Sequence, residues 1–433
     1  MTAVFSVLII LATFLMLWFL GYKTSYADFD NNFRAEFEIP GLDDGAIPQG
    51  MGTYLASYDV VGEDGKTTSK TQSYFLISAY MADGSPSRIY VTGKDTGYVG
   101  YVTIKDEEGN DFYGHCGGIA TNGSTIWVTG ESMVHVAKTS DSKAYTNILK
   151  ETVVKAQART DGPKKDEQGN VIEVGEDAYS IKFTSSFNAN CRASFCYYYD
   201  DSRYSSVTYD RLYVGEFYRD GNYETDATHK LTTPAGYKNT AFMYEYTADA
   251  NSKYGLATLS DNSLTDENVV PKIQRIFSLP EKIQGVAWSN REGYGTSDGI
   301  LVLSESYGLA NSHMLCFDWP TVTANANRKL YSALNGSNFT YEGVTSTVGG
   351  TEKPYTDKYL YVYYVDKNDD KMFVNDYSIP SMSEGMCVIT QTGSNGGSKT
   401  RIYVLFESAG KKYKTFVRKQ LKEVYSFVPR TRK

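Results

Sequence analysis

One phrase recurs along this chain, and it constrains the fold more than any other feature. Residues 275–289 read RIFSLPEKIQGVAWS: an alternating stretch closes on Pro280, four residues intervene, and Gly285 opens a second stretch. Residues 373–388, FVNDYSIPSMSEGMCV, repeat the phrase, and residues 33–52, FRAEFEIPGLDDGAIPQGMG, repeat it with a longer spacer. Two weaker relatives are YVTIKDEEGNDFYGHCGGIA at 101–120 and YSIKFTSSFNANCRASFC at 179–196. Recurrence of this kind restricts a chain to solenoids, propellers and arrays.

Each junction leads into a β-rich run: SYFLISAYM from Ser73, TIWVTGESM from Thr125, RLYVGEFY from Arg211, ILVLSESYG from Ile300 and RIYVLFESAG from Arg401. A third short alternating segment follows: RIYV at 88, MVHVA at 133, AFMYEY at 241, HMLCF at 313 and YKTFV at 413. Period-2 runs rich in Val, Ile, Tyr and Phe are strands. The 37 tyrosines agree, because Tyr suits a pleated, half-buried surface. Four strands per unit, five times over, predict an all-β fold, a five-bladed β-propeller with four-stranded blades. The Pro then closes the outermost strand, where a missing N–H does no harm. The Gly lets the innermost strand approach a crowded axis. FRAEFEI at 33–39 precedes every blade, and the fifth blade is one strand short. The N-terminal strand is therefore expected to complete the last blade, since an open ring would expose pairing edges. In a six-bladed alternative, KYLYVYYVDKNDDKMFV at 358–374 supplies two strands of an extra blade; here it is read as the outer part of the fourth blade.

The repeats are long, about eighty residues each, because of insertions. SKAYTNILKETVVKAQA within 139–178 is expected to be a helix starting near Ser142, followed by a polar loop. Residues 219–240 and 321–358 are expected to be surface excursions. No linker separates a second domain, so residues 28–433 form one propeller domain. Residues 1–27 begin with MTAVFSVLIILATFLMLWFLGY, which carries no charged side chain before Lys23 and is about the ~20 residues needed to span a bilayer. This predicts an N-terminal apolar helix, either a membrane anchor or a signal peptide. The propeller is then expected outside the cytoplasm, tethered or secreted. The five cysteines include no CxxC or Cys/His zinc spacing and read as buried apolar residues. A net charge of -8 without a basic stripe argues against nucleic acid. Asn122, Asn335 and Asn338 head glycosylation sequons, relevant in a eukaryotic host.

The pattern GIA, gap, WVTGE at 118–131 and GVA, gap, LVLSES at 285–306 resembles NHL, gluconolactonase and strictosidine-synthase-like propellers. The blade count resembles that of the calcium-dependent apyrases, in which polar residues before the inner strands line a central metal site. That resemblance would place Gln49, Gly117 or His115, Asn190, Gln284 and Glu384 around the axis. Only one of these is acidic, a departure from the apyrase pattern that weakens the case for calcium.

Read from the residues, Gln49, His115, Asn190, Gln284 and Glu384 precede the inner strands and are expected at one mouth of the channel. The second strands end at the same face, at Ala79, Glu131, Glu216, Glu305 and Glu407. Four glutamates in five equivalent places form either an acidic funnel for a cation, sugar or cationic ligand, or a structural bond to backbone N–H groups repeated once per blade. His115 with Glu384 or Glu131 is a candidate general acid/base pair. Two function classes follow: a binding module for a saccharide, peptide or protein, or a hydrolase or lyase at the channel mouth, assisted by a divalent cation such as calcium. A fold alone does not choose between them.

Overall fold

The computed structural model describes residues 9–16, 26–61, 67–130, 132–139, 148–162, 175–199, 210–260, 264, 269–290, 299–392, 398–413 and 419–430. Its five larger sheets are blades around an axis, and two two-stranded sheets, Leu231–Thr232 with Lys238–Asn239 and Phe339–Val348 with Thr351–Asp357, lie in the insertions. The innermost strands are Ala46–Val61, Gly118–Thr121, Ala193–Tyr199, Ile283–Asn290 and Ser383–Thr392. Each pairs antiparallel with the second strand of its blade. Arg34–Glu38 pairs antiparallel with Glu423–Phe427, so the N-terminal strand closes the fifth blade as the strand count requires.

Close packing at the axis explains the glycines. A Cβ on Gly50 would stand 2.6 Å from the backbone N of Ile119 in the next blade. One on Gly118 would stand 2.4 Å from Cys196 N, and one on Gly385 2.4 Å from Met51 N. Real side chains do not tolerate such approaches, so these places require glycine. Outward from the axis, the described residues form five hydrophobic clusters, and each joins two neighbouring blades. Tyr213 lies 4.2 Å from Trp288 between the third and fourth blades, and Phe75 4.9 Å from Tyr403 between the first and fifth. The strand period puts alternate residues on the two faces of each blade, so both faces are covered.

Three local expectations need correction. The third strand of the fifth blade is Glu423–Phe427; Lys411–Tyr413 is a 3-10 turn, and residues 414–418 lie outside the described residues. Of residues 358–374, only Phe373 and Val374 belong to the outer strand of the fourth blade, Phe373–Ile379. Tyr361–Tyr364 instead extends the third blade, parallel to Ile273–Leu279. Similarly, Ser180–Lys182 adds a parallel strand to the first blade, leaving Ser185–Asn188 as the outer strand of the second. In both cases a chain returning from an insertion pairs with the nearest open edge. The expected inserted helix is present over Ile148–Asp161, with Leu149 and Ala156 buried against the first two blades, while Ser142, near its expected start, lies outside the described residues.

At the N-terminus, residues 9–16 are helical and exposed, while residues 1–8 and 17–25 lie outside the described residues. Among the described residues no helix is long and apolar enough to cross a membrane. Residues 26–32 form a helix that docks Phe29 between the fourth and fifth blades, with Phe33 beside it, 4.4 Å from Phe427.

Candidate functional site

Each inner strand except the second starts with an irregularity in its pairing. The register slips between Pro48 and Gly50, Ala193 and Phe195, Ile283 and Gly285, and Ser383 and Met386. A bulge re-aims the extra side chain, here toward the channel. Gln49, Ser194, Gln284 and Glu384 therefore line a cavity of about 450 Å³ at the axial mouth, joined by His115 and Gly117 of the second blade. Asn190 is not among them. It adopts a left-handed backbone at φ 56, its own N–H is capped by the Asn188 side chain at 2.7 Å, and it lines a different cavity. The third junction is thus longer than the spacing implied, and Ser194 takes the place assigned to Asn190.

The glutamates do not form a ring. Pro48 faces Ala79, Ala193 faces Glu216 and Ile283 faces Glu305, but Ser383 faces Phe406. Glu407 therefore lies one residue beyond the rung that Glu216 and Glu305 share. A slip of one residue turns a side chain to the opposite face. At the later rung, Tyr80, Phe217, Ser306 and Glu407 line the mouth. In the second blade Gly118 faces Thr129, and Glu131 lies outside the described residues. Glu305 turns away to an ion pair with Lys367 at 2.8 Å. Glu216 turns away to His229 Nδ1 at 2.6 Å and accepts from Phe242 N–H at 2.8 Å. That backbone donor belongs to the same blade, not to its neighbour.

Bonding between blades falls to serines one residue earlier. Ser78 Oγ donates to Cys116 O at 2.9 Å and accepts from Gly50 N–H. Ser304 Oγ meets Ser383 Oγ at 2.7 Å.

One side of the mouth is a carboxyl pair. Glu384 is 5% exposed and makes no hydrogen bond through its side chain among the described residues. Burial, and then the charge of nearby Glu407, hold its carboxyl well above the usual range. Burial also raises Glu407, against the opposing effect of the Tyr413 hydroxyl, which donates to it at 2.6 Å. Tyr80 donates at 3.4 Å, and Gln49 and Lys412 also favour the charged form. Both carboxyls thus hold their protons above the ordinary glutamate range, Glu384 more strongly than Glu407. The other side is aromatic and cationic. Phe217 and Tyr307 are stacked at 6.0 Å, Tyr223 meets Phe217 edge-on at 5.3 Å, and Arg192 sits over Tyr223 at 5.3 Å. The His115 ring lies 4.5 Å from that of Tyr80, between the two sides.

The structure thus brings together Gln49, His115, Gln284, Glu384 and Glu407, and separates Asn190, Glu216 and Glu305 from them. The sequence reading missed Tyr80, Ser194, Phe217, Tyr307 and Tyr413; counting rungs from Gly50, which faces Ser78, would have found Tyr80, but the third blade has no inner-strand glycine to count from. The donor set suits calcium poorly, since the ion takes six to eight oxygens. Among the described residues no group of three or more His, Cys, Asp or Glu is placed to hold a metal ion. All five cysteines are free and buried, and burial pushes the Cys116 thiol up to about 12. No family profile and no curated protein matches this chain, so its likeness to known propellers rests on the five-bladed arrangement alone.

Proposed function

We propose that this protein is a binding module that seats a saccharide at the axial mouth. The observation that carries this reading is Glu384: a buried carboxyl, unpartnered among the described residues, on the wall of an open cavity. A buried polar group normally finds a partner, and here a ligand hydroxyl would complete it. A protonated carboxyl donates and accepts, and a carboxylate accepts, so the Glu384–Glu407 pair can match vicinal hydroxyls. Phe217, Tyr223 and Tyr307 add an aromatic wall to the same cavity, with Arg219 over the Tyr307 ring at 4.1 Å. The apolar run before Lys23 supports placing the propeller outside the cytoplasm, tethered or secreted. A glycan-binding screen of the full chain tests the reading. Saturable binding lost in Glu384→Ala supports it; binding only to peptides or proteins, or glycan binding indifferent to that change, overturns it.

A second reading has its own observation. His115, Glu384 and Glu407 line one cavity, and Glu384 is biased toward keeping its proton. A carboxylic acid beside a carboxylate is the equipment for general acid and base work on a glycosidic bond. Release of reducing ends from a bound glycan, with calcium and with chelator, separates this hydrolase or lyase from a module that only binds.

A further inference from the structure

The two insertions wall a second cavity, of about 390 Å³. Asp226 and His229 come from one insertion, Tyr331 and Glu342 from the other, and Glu216 from the third blade. The wall is pinned rather than loose. Asn190 Oδ1 accepts from Glu342 N–H at 2.6 Å, and Thr225 Oγ1 donates to Thr240 O at 2.5 Å.

Glu216 and His229 are only 1% and 6% exposed. Glu216 Oε1 already accepts the backbone N–H of Phe242 at 2.8 Å, so it is also the acceptor in its 2.6 Å contact with His229. The proton between them therefore sits on Nδ1. In the neutral ring this leaves Nε2 with a lone pair. The ring is held face-on to Phe242 at 4.2 Å and lines the cavity. Nε2 has no hydrogen-bond partner among the described residues. A carboxylate that orients a buried imidazole, whose other nitrogen opens on a cavity, has the form of a recognition site.

The surrounding charges choose the ligand. Glu224 is committed to Lys230. Burial keeps the Cys191 thiol and the Tyr331 hydroxyl in their neutral forms. Asp226 and Glu342 are exposed carboxylates without an ion pair among the described residues. Arg192 also borders the cavity, stacked over Tyr223. We propose that this cavity binds a small molecule carrying a primary ammonium group, which donates one N–H to His229 Nε2 while Asp226 and Glu342 balance its charge. The site adjoins the axial mouth, with Arg192 lining both cavities.

The test uses ¹⁵N-labelled full chain, ethanolamine and glucosamine as probes, and ethylene glycol and glucose as their uncharged counterparts. Nε2 of His229 is identified by its loss in His229→Gln. It should shift saturably with each amine and not with the counterparts. Glu342→Gln and Asp226→Asn, both at exposed positions and thus compatible with folding, should each weaken the amines about threefold to tenfold. Equal effects of amines and counterparts, an Nε2 that already carries a proton, or unchanged affinity in both rim variants would overturn the proposal.

Discussion

Glu216 and Glu384 are both almost wholly buried, and both stand beside a cavity, yet their surroundings are opposite. Glu216 receives an imidazole N–H and a backbone N–H on one oxygen. Glu384 receives nothing from the described residues and faces a second carboxyl that raises its pKa further. The first carboxylate is part of the scaffold: it positions His229 and ties the 219–240 insertion to the blade. The second is a strained place left by the scaffold for something else. Burial by itself therefore does not mark a functional carboxylate; burial without a partner does.

The widest gap should appear on truncation. Glu216→Ala strands two buried donors and is expected to cost about 3 kcal/mol. Glu384→Ala strands none and relieves repulsion, so its cost should stay within about 1 kcal/mol. Urea denaturation of both variants checks this, and equal losses would erase the contrast. Next comes pH. Above pH 4.5, the ordinary value for a glutamate, the unfolded chain releases the Glu384 proton while the folded chain keeps it. The unfolded state then binds fewer protons, so this group lowers stability as pH rises, by up to about 1.4 kcal/mol per pH unit, until Glu384 ionises in the folded chain. Glu384→Gln should remove that slope, measured as the denaturation midpoint of variant against parent across pH 4.5 to 7. Glu216→Gln, whose parent carboxylate is already paired, should not remove it.

Smaller effects sharpen the contrast. Ser304→Ala breaks a satisfied but uncharged contact between blades and should cost about 1 kcal/mol, less than loss of the satisfied charge at Glu216. Tyr413→Phe removes the 2.6 Å donor to Glu407. It should change stability by only about 0.5 kcal/mol and shift the pair's titration upward, read from carboxyl resonances. A downward shift would mean that Tyr413 does not stabilise the charged form.

The repeat phrase carried the blade count, the strand order and the ring closure, because each rests on local patterns that the fold repeats: alternation, Pro at an outer edge, Gly at the axis. The site was less legible. Gln49, Gln284 and Glu384 were found because the bulge residue directly precedes a glycine. Asn190 was wrongly chosen because the third junction has no such glycine and Ala193 opens its strand instead. The glutamate ring failed for a different reason. Glu216, Glu305 and Glu407 end look-alike segments, GE, SE and FE, but the fifth strand enters its pairing one residue out of step. Register depends on partners far along the chain, and no window of a single strand contains it. Likewise the edges that Ser180–Lys182 and Tyr361–Tyr364 join are set by where the insertions return, which their own sequences do not encode.

The closing strand also has a consequence in time. Glu36 and Ser426 meet in the fifth blade although 390 positions separate them. During synthesis at roughly 5–20 residues per second, the first strand leaves the ribosome about 20–80 seconds before its partner exists. Four blades have time to assemble while that strand waits unpaired, so the nascent chain passes through an open ring with a free strand at one end and a vacant edge still to be made at the other. Two chains at that stage on one polysome hold matching halves of the same seam, and exchange between them competes with closure of each ring on itself.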